Sequence, residues 1–132
     1  MRFLLDTHCW LWLQTEPGRL PANLLATLAD SSSRRYLSAA SAWEIAIKFA
    51  LGKLALPEPP ASYVPERMRL SGFEGLPVTH AHALAVAVLP PHHRDPFDRV
   101  LVAQARVEGL TLVTADAALE PYDVSMVRVT PS

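Results

Sequence analysis

Four acidic residues stand where apolar segments end or where helices are predicted to begin. Asp6 and Asp116 each follow a short, strand-like apolar run, and Glu44 and Asp98 fall in the first turns of predicted helices. In a right-handed parallel α/β fold, the strand ends and the helix starts that follow them lie along one edge of the sheet. We therefore expect the four carboxylates to gather in one cleft.

A carboxylate cluster of this kind opposes folding unless protons or cations offset its charge. Two unit charges ~4 Å apart repel by about 4 kcal/mol at an effective dielectric constant of ~20. Hard divalent cations such as Mg²⁺ and Mn²⁺ prefer all-oxygen sites of this type. Metal ions held by carboxylates activate water and clamp phosphoryl oxygens. The chemistry indicated is the hydrolysis of phosphodiesters.

Each acid also has an ordinary structural interpretation. Asp6 and Asp116 could cap the segments that follow them. Glu44 completes an S-x-x-E capping box that begins at Ser41, and it precedes Lys48 by four residues, which is a favourable helix pair. These interpretations account for each acid taken alone. They do not account for the placement of all of them at one predicted edge of the sheet.

The run His-Arg-Asp-Pro-Phe-Asp-Arg at 93–99 has the composition of a helix start. Asp95 suits the N-cap, and Pro96 suits the first helical position, where its missing N–H would be unpaired in any case. Asp98 then lies in the first turn, where an acid interacts favourably with the helix dipole. From these residues alone, either acid could belong to a site.

Short apolar strands alternate with helices along the chain. Strands are predicted at 3–5, 35–38, 76–78, 110–113 and 124–129. Helices are predicted at 9–13, 21–29, 42–51, 63–70, 80–88 and 96–107. This alternation indicates a single α/β domain over residues 1–132, with a central, mostly parallel sheet covered by helices on both faces.

The composition is that of a globular protein without a large charged field. The 132 residues are 50% hydrophobic and carry a formal net charge of −1, so the composition does not indicate an extended basic surface for binding nucleic acid. A single cysteine excludes a disulfide framework and a cysteine-based metal site. No apolar run reaches the ~18 residues of a membrane span, and the acid at position 6 argues against a signal peptide. We expect a cytoplasmic protein.

Three blocks of sequence carry a resemblance to a known family. The first is Leu-Leu-Asp-Thr-His-Cys-Trp-Leu-Trp at 4–12. The second is Ser-Ala-Ala-Ser-Ala-Trp-Glu-Ile-Ala-Ile-Lys at 38–48, with Leu-Gly-Lys-Leu at 51–54. The third and most specific joins the run at 93–99 to Leu-Val-Thr-Ala-Asp at 112–116. Together they span nearly the whole chain, and they resemble the PIN-domain ribonucleases, specifically the VapC-type toxins of toxin–antitoxin pairs.

The resemblance implies a three-layer α/β/α fold and a Mg²⁺- or Mn²⁺-dependent endoribonuclease. The family's catalytic and metal-binding acids map onto Asp6, Glu44, Asp98 and Asp116. Further side chains near these acids become candidate substrate contacts, namely Thr7, Ser41, Arg99 and Thr114.

Two neighbours of the mapped acids need separate treatment. By the same mapping, Asp95 caps its helix and pairs with Arg99 rather than binding the metal directly. Ala115 departs from the family pattern, because relatives often carry a polar or basic residue there. That departure leaves the substrate contacts beside Asp116 open but does not affect the metal site.

The resemblance also implies partners. Toxins of this family usually form homodimers and are neutralised by a small cognate antitoxin. Such antitoxins bind along the toxin and can place a basic side chain near the acids. We therefore expect an RNA substrate, an antitoxin protein and a second copy of the chain as partners.

Other functions are compatible with parts of the pattern. A nuclease that cuts DNA or a particular nucleic-acid structure would use the same acids, although the chain carries no added arch or DNA-clamping insertion. A catalytically silent PIN domain would act as a binding module, yet all four acids are present. A phosphoacceptor signalling domain is also a parallel α/β fold with clustered acids. It needs a lysine after a late strand, and Lys48 and Lys53 come too early.

The histidines lack the spacing of zinc ligands. His80 and His82 are two apart on a predicted helix and do not share a face, while His92 and His93 are adjacent. We expect structural or surface roles for them, with His93 as a possible RNA contact at the rim of the cleft.

Overall fold

The computed structural model describes residues 1–130, in which five strands and six α-helices alternate along the chain. The strands are β1 (Arg2–Leu5), β2 (Arg34–Ser38), β3 (Phe73–Leu76), β4 (Thr111–Thr114) and β5 (Met126–Arg128). The helices are α1 (Thr7–Thr15), α2 (Ala22–Ala29), α3 (Ala39–Ala50), α4 (Pro60–Ser71), α5 (His80–Ala85) and α6 (Pro96–Glu108). Short 3-10 turns occur at Pro17–Arg19, Val86–Val88 and Ala117–Leu119.

The strands form one parallel sheet in the order β3-β2-β1-β4-β5. Leu4 of β1 pairs with Tyr36 of β2 on one side and with Leu112 of β4 on the other. The strand order reverses between β1 and β4, so the space beyond their carboxyl ends is the switch point where α/β sheets bind ligands. Asp6 and Asp116 follow these two strands.

Helices cover both faces of the sheet. On one face, Phe3 belongs to a buried cluster to which α1, α2, α3 and α4 all contribute, with Trp10 of α1 its largest member. On the other face, Leu4 packs in a second cluster with Leu101 of α6. Successive residues of a strand point to opposite faces, so the wholly apolar segment 3–5 serves both layers. The predicted three-layer α/β/α fold with a central parallel sheet is confirmed.

Helix α6 begins and ends close to where its sequence predicts. The Asp95 carboxylate accepts hydrogen bonds from the N–H groups of Phe97 at 2.8 Å and Asp98 at 3.4 Å, and Pro96 takes the first helical position. Gly109, with φ at 67°, ends the helix in the left-handed conformation that glycine adopts without a Cβ penalty. The cap fixes the first turn of α6 and thereby the position of Asp98.

Helix α3 begins at Ala39 rather than at residue 42, which changes the role of Ser41. The Ser38 hydroxyl accepts a hydrogen bond from the Ala40 N–H at 3.0 Å, so Ser38, the last residue of β2, is the N-cap. Because the strand passes directly into the helix, the predicted capping box of Ser41 and Glu44 does not form, and that prediction was wrong. Glu44 lies in the second turn, inside the fold.

Three smaller differences separate the observed elements from the predicted ones. Strand β3 ends before Pro77 instead of containing it, because proline has no N–H to donate to the ladder. Helix α4 begins three residues earlier than predicted, with Pro60 at its first position. Strand β5 is shorter than the predicted 124–129.

Within residues 1–130, no helix is both long enough and apolar enough to cross a membrane.

Candidate active site

The structure brings the four predicted acids together in one cleft beyond the carboxyl ends of β1 and β4. The cleft has a volume of about 370 Å³. Its lining consists of Asp6, His8, Trp12, Glu44, Lys48, His93, Asp95, Asp98, Ala115 and Asp116. Asp6 and Glu44 are 4% and 5% exposed, whereas Asp98 and Asp116 are only partly buried. The acids therefore form a deep pair and an outer pair.

Asp6 is held at the junction of β1 and α1 by contacts to both of its oxygens. Its Oδ1 accepts a hydrogen bond from the Cys9 N–H at 2.8 Å, which caps α1. Its Oδ2 accepts one from the Thr114 hydroxyl at 2.6 Å and a longer one from the Ala115 N–H at 3.4 Å. A carboxylate has about four lone-pair sites. Three of them accept these hydrogen bonds, and the remaining one, on Oδ1, can bind a cation.

Glu44 is held in the same manner from α1 and from its own helix. Its Oε1 accepts a hydrogen bond from the Thr7 hydroxyl at 2.7 Å, and its Oε2 lies 2.7 Å from the Lys48 ammonium. The Thr7 and Ser41 hydroxyl oxygens are 3.0 Å apart. Thr7 and Ser41 were predicted as substrate contacts, but both are buried and their hydroxyls are engaged in this network.

Asp98 is the acid whose charge is least compensated. Burial in the cleft is the main cause that raises its pKa, to about 7, and the neighbouring carboxylate of Asp95 is the next. The charges of Asp6 and Glu44 act in the same direction, and His93 acts in the opposite direction. A proton or a cation is therefore bound favourably at this position.

Asp116 caps the 3-10 turn Ala117–Leu119 and contacts a histidine. Its Oδ1 accepts a hydrogen bond from the Ala118 N–H at 2.9 Å, and its Oδ2 lies 2.7 Å from His93 Nε2. Burial acts to raise the pKa of Asp116, but the hydrogen bonds from Ala118 and His93 outweigh it and hold that pKa below its ordinary value.

His93 lies in the cleft in contact with two of the acids, whereas the sequence had indicated only an RNA contact at the rim. Its Nε2 is 2.7 Å from an oxygen of Asp116 and 3.2 Å from an oxygen of Asp98. Its Nδ1 accepts a hydrogen bond from the Asp95 N–H at 3.1 Å. A neutral ring that accepts at Nδ1 carries its hydrogen on Nε2, so His93 donates to the two carboxylates. Its place just before the N-cap is the one sequence signal for this position.

Of the two remaining predicted substrate contacts, Thr114 lies at the site and Arg99 lies outside it. Thr114 is fully buried, donates to Asp6, and accepts a hydrogen bond from the Asp116 N–H at 3.0 Å. Arg99 does not line the cleft. Its guanidinium donates to the backbone carbonyls of Val86 and Leu89, and within residues 1–130 it forms no ion pair with Asp95, so that predicted pair was wrong.

The donor set fits a hard divalent cation. One atom each of His93, Asp98 and Asp116 lie within 4.8 Å of one another. Because His93 presents an N–H there, the atoms able to bind a metal in this arrangement are the carboxylate oxygens, with Asp6 and Glu44 behind them. An all-oxygen set is typical of Mg²⁺ and Mn²⁺ sites and unlike a zinc site.

Fold and site together define an α/β/α domain with a carboxylate cluster at its switch point. The family model described as the PIN domain matches residues 3–124. The chain therefore belongs to the PIN domain family, and the predicted family resemblance is confirmed.

A curated relative shares high identity with part of the chain. Ribonuclease VapC16 of Mycobacterium tuberculosis is 60% identical over 57 residues, a segment that covers 43% of this chain and 40% of the relative. The match thus spans less than half the length of that ribonuclease.

Solved structures with the same fold extend over the whole chain. VapBC2 from Rickettsia felis, bound to a DNA fragment from its promoter, aligns with a TM-score of 0.73 at 17% identity, covering 97% of this chain and 98% of that one. A toxin–antitoxin complex from Klebsiella pneumoniae aligns with a TM-score of 0.66 at 16% identity, covering 98% of each chain. FitAcB from Neisseria gonorrhoeae aligns with a TM-score of 0.61 at 23% identity, covering 96% of each chain. At these identities the likeness is one of fold.

Proposed function

We propose that this protein is a Mg²⁺- or Mn²⁺-dependent endoribonuclease and the toxin component of a toxin–antitoxin pair. The observation that carries the proposal is the convergence of Asp6, Glu44, Asp98 and Asp116 on one cleft at the switch point of a PIN domain. The 60% identity to part of a ribonuclease supports RNA as the substrate. The charge of the cluster supports a divalent cation as the cofactor.

The side chains of the cleft have distinct tasks in this proposal. A divalent ion held by the carboxylates would activate a water molecule and stabilise charge on phosphoryl oxygens. The deep acids are fixed by the threonine hydroxyls and by Lys48, so they need no rearrangement to act as ligands. His93 holds a hydrogen on Nε2 at the mouth of the cleft, where a phosphoryl oxygen of the substrate can accept it.

The experiment is cleavage of a labelled pool of cellular RNA by the purified protein in Mn²⁺, in Mg²⁺ and in EDTA. We expect cleavage that depends on the metal and is abolished by Asp6→Asn and by Asp98→Asn, with both variants folded. Asp123→Asn, a change of the same kind at an exposed position, is the matched control and should cleave normally. Cleavage that survives EDTA, or that survives either substitution in the cleft, would refute the metal-site proposal.

The same assay separates the alternative functions. A matched pool of DNA tests the DNA-directed or structure-specific nuclease, which would cut DNA or folded substrates in preference to single-stranded RNA. Binding of RNA without any cleavage would indicate a silent PIN module. The ends of the RNA fragments, once sequenced, identify the cut sites.

We also propose an antitoxin protein and a second copy of the chain as partners, with action in the cytoplasm. The Klebsiella pneumoniae structure with the same fold is a toxin–antitoxin complex, which supports a similar partner here. An apolar groove of about 400 Å³ beside Trp43 supports a dimer. A purified complex with the antitoxin should lose RNA cleavage, and cleavage at an undiminished rate would contradict this assignment.

A further inference from the structure

A second recess, with a volume of about 300 Å³, opens beside the acidic cleft between α1 and α3. Its floor is apolar and its rim is basic, with Leu11, Ile45 and Leu54 below and His8, Lys48 and Lys53 above. We call it the lysine recess. His8 and Lys48 line the acidic cleft as well, so the two depressions are continuous.

The end of α3 places the two lysines side by side. The Lys53 N–H donates to the Lys48 carbonyl at 2.8 Å, and the Gly52 N–H donates to the Phe49 carbonyl at 3.0 Å. This is the hydrogen-bond pattern of a Schellman motif, and Gly52 adopts the left-handed φ of 72° that the motif requires. The chain therefore turns back at Gly52 and brings Lys53 to the same recess as Lys48.

The two ammonium groups differ in what they already contact. Lys48 is paired with Glu44 at 2.7 Å, which ties it to the acids. Lys53 is exposed, and none of the hydrogen bonds or ion pairs formed within residues 1–130 involves its ammonium. These are the only lysines of the sequence. A chain of net charge −1 thus concentrates both beside its most acidic depression.

Aromatic surface lies next to the recess. The exposed ring of His8 is 6.4 Å from the ring of Trp12, centroid to centroid, and the Arg19 guanidinium lies 5.1 Å from the Trp12 ring. Unstacked bases of single-stranded RNA bind to aromatic faces, while lysine and arginine contact the phosphates. The recess offers both kinds of contact, and the acidic cleft, before a cation binds, repels phosphates.

We propose that the lysine recess binds the nucleotide next to the scissile phosphate of a single-stranded RNA. Lys53 contacts a backbone phosphate, the ring of His8 packs against the base, and the strand continues from there into the acidic cleft. This inference rests on the proposed ribonuclease function and adds to it the side from which the substrate enters. We place the substrate on this side of the cleft because its phosphates would meet the cationic side chains of the recess there.

The test measures binding apart from cleavage. A fluorescein-labelled single-stranded oligoribonucleotide of random sequence is titrated with the protein in EDTA, and fluorescence anisotropy gives the affinity. The variants are Lys53→Glu, Lys53→Arg and Arg106→Glu. Arg106 is an exposed cation elsewhere, on α6, and its substitution changes the net charge by the same amount as Lys53→Glu.

We expect Lys53→Glu to weaken RNA binding roughly tenfold and to reduce the salt dependence by about one phosphate contact. Lys53→Arg and Arg106→Glu should bind as the parent protein does. In the cleavage assay, Lys53→Glu should raise KM and leave kcat nearly unchanged, because the residue positions substrate. Equal affinities for Lys53→Glu and Arg106→Glu, or no RNA binding by the parent protein, would overturn the proposal.

The two proposals fail in different ways. Metal-dependent cleavage by the parent protein, together with unchanged RNA affinity in Lys53→Glu, would refute the proposed role of the recess and support the ribonuclease. Loss of affinity in Lys53→Glu without any metal-dependent cleavage by the parent protein would refute the ribonuclease and support the recess as an RNA-binding site. An unchanged thermal midpoint of Lys53→Glu shows that either result concerns binding and not folding.

Discussion

The Thr114 hydroxyl donates a 2.6 Å hydrogen bond to Asp6 Oδ2, joining two residues 108 positions apart in the sequence. The same hydroxyl oxygen accepts a hydrogen bond from the Asp116 N–H at 3.0 Å. One buried side chain at the end of β4 therefore orients an acid that follows β1 and the backbone of an acid that follows β4. This contact depends on β1 and β4 being neighbours in the sheet.

Thr114→Val tests that contact. Valine keeps the shape but leaves Asp6 Oδ2 with only the longer contact to the Ala115 N–H. We therefore expect a loss of roughly 1–3 kcal/mol in the free energy of unfolding and impaired Mn²⁺-dependent cleavage. Urea unfolding and RNA cleavage are the measurements. Thr111→Val is the matched control, because its hydroxyl contacts Ser125 at the other end of β4, away from the acids. Equal effects of the two substitutions on cleavage would contradict a special role for Thr114.

The raised pKa of Asp98 predicts how the stability of the metal-free protein depends on pH. Its pKa is 3.8 ordinarily and about 7 in the fold, so between these values the folded state holds a proton that the unfolded state has released. The free energy of unfolding therefore falls as pH rises through this window. Asp116, whose pKa is lowered, contributes stability that is lost as pH falls below the window.

Urea unfolding in EDTA across this pH range, for the parent protein and Asp98→Asn, measures the effect. The substitution should flatten the decline, because asparagine binds no proton. Mn²⁺ affinity of the parent should rise over the same range, since protons and cations compete for Asp98. Identical pH profiles for parent and variant would show that Asp98 does not titrate in the window.

His93 is predicted to act as a hydrogen-bond donor and not as a metal ligand. His93→Ala should not lower Mn²⁺ affinity, because the Nε2 atom near Asp98 and Asp116 carries a hydrogen and its removal frees carboxylate oxygens. RNA cleavage should fall, because a donor at the mouth of the cleft is lost. Calorimetric titration with Mn²⁺ measures the metal affinity, and a lower affinity in His93→Ala would show that His93 is a metal ligand. His92→Ala is the control, since that ring packs on Tyr122 outside the acidic cluster.

Trp43 is predicted to lie in the interface of the proposed homodimer. Its side chain is 64% exposed, packs edge-on against Phe97 at 5.1 Å, and borders the apolar groove of about 400 Å³. Trp43→Ser should convert the dimer to a monomer in light scattering after size exclusion. Leu84→Ser, at an apolar position that is 74% exposed, should leave the mass unchanged. A monomeric parent protein would refute the dimer.

Features that depend on near neighbours in the chain could be predicted from the sequence. The apolar runs indicated buried parallel strands, Asp95 and Pro96 indicated the start of α6, and the ends of strands indicated where the acids would meet. Caps and turns are made by hydrogen bonds within about four residues, so their signals survive in the order of residues. The Pro77 end of β3 and the Ser38 cap of α3 were missed because neighbouring residues offered competing start and stop signals.

Tertiary structure alone decided the partners that site residues have in distant parts of the chain. Thr7 reaches Glu44 across 37 positions, and His93 reaches Asp116 across 23. Arg99, which its sequence context placed at the site, instead donates to the carbonyls of Val86 and Leu89. Such contacts follow from the register of β1 with β4 and from the packing of α1, α3 and α6 around them. The sequence by itself determined the acids and the sheet edge at which they gather. It also indicated the pair of Glu44 with Lys48, which lie four residues apart on one helix. Packing decided that two threonines and a histidine orient the acids, because those distances arise only when separate elements are folded together.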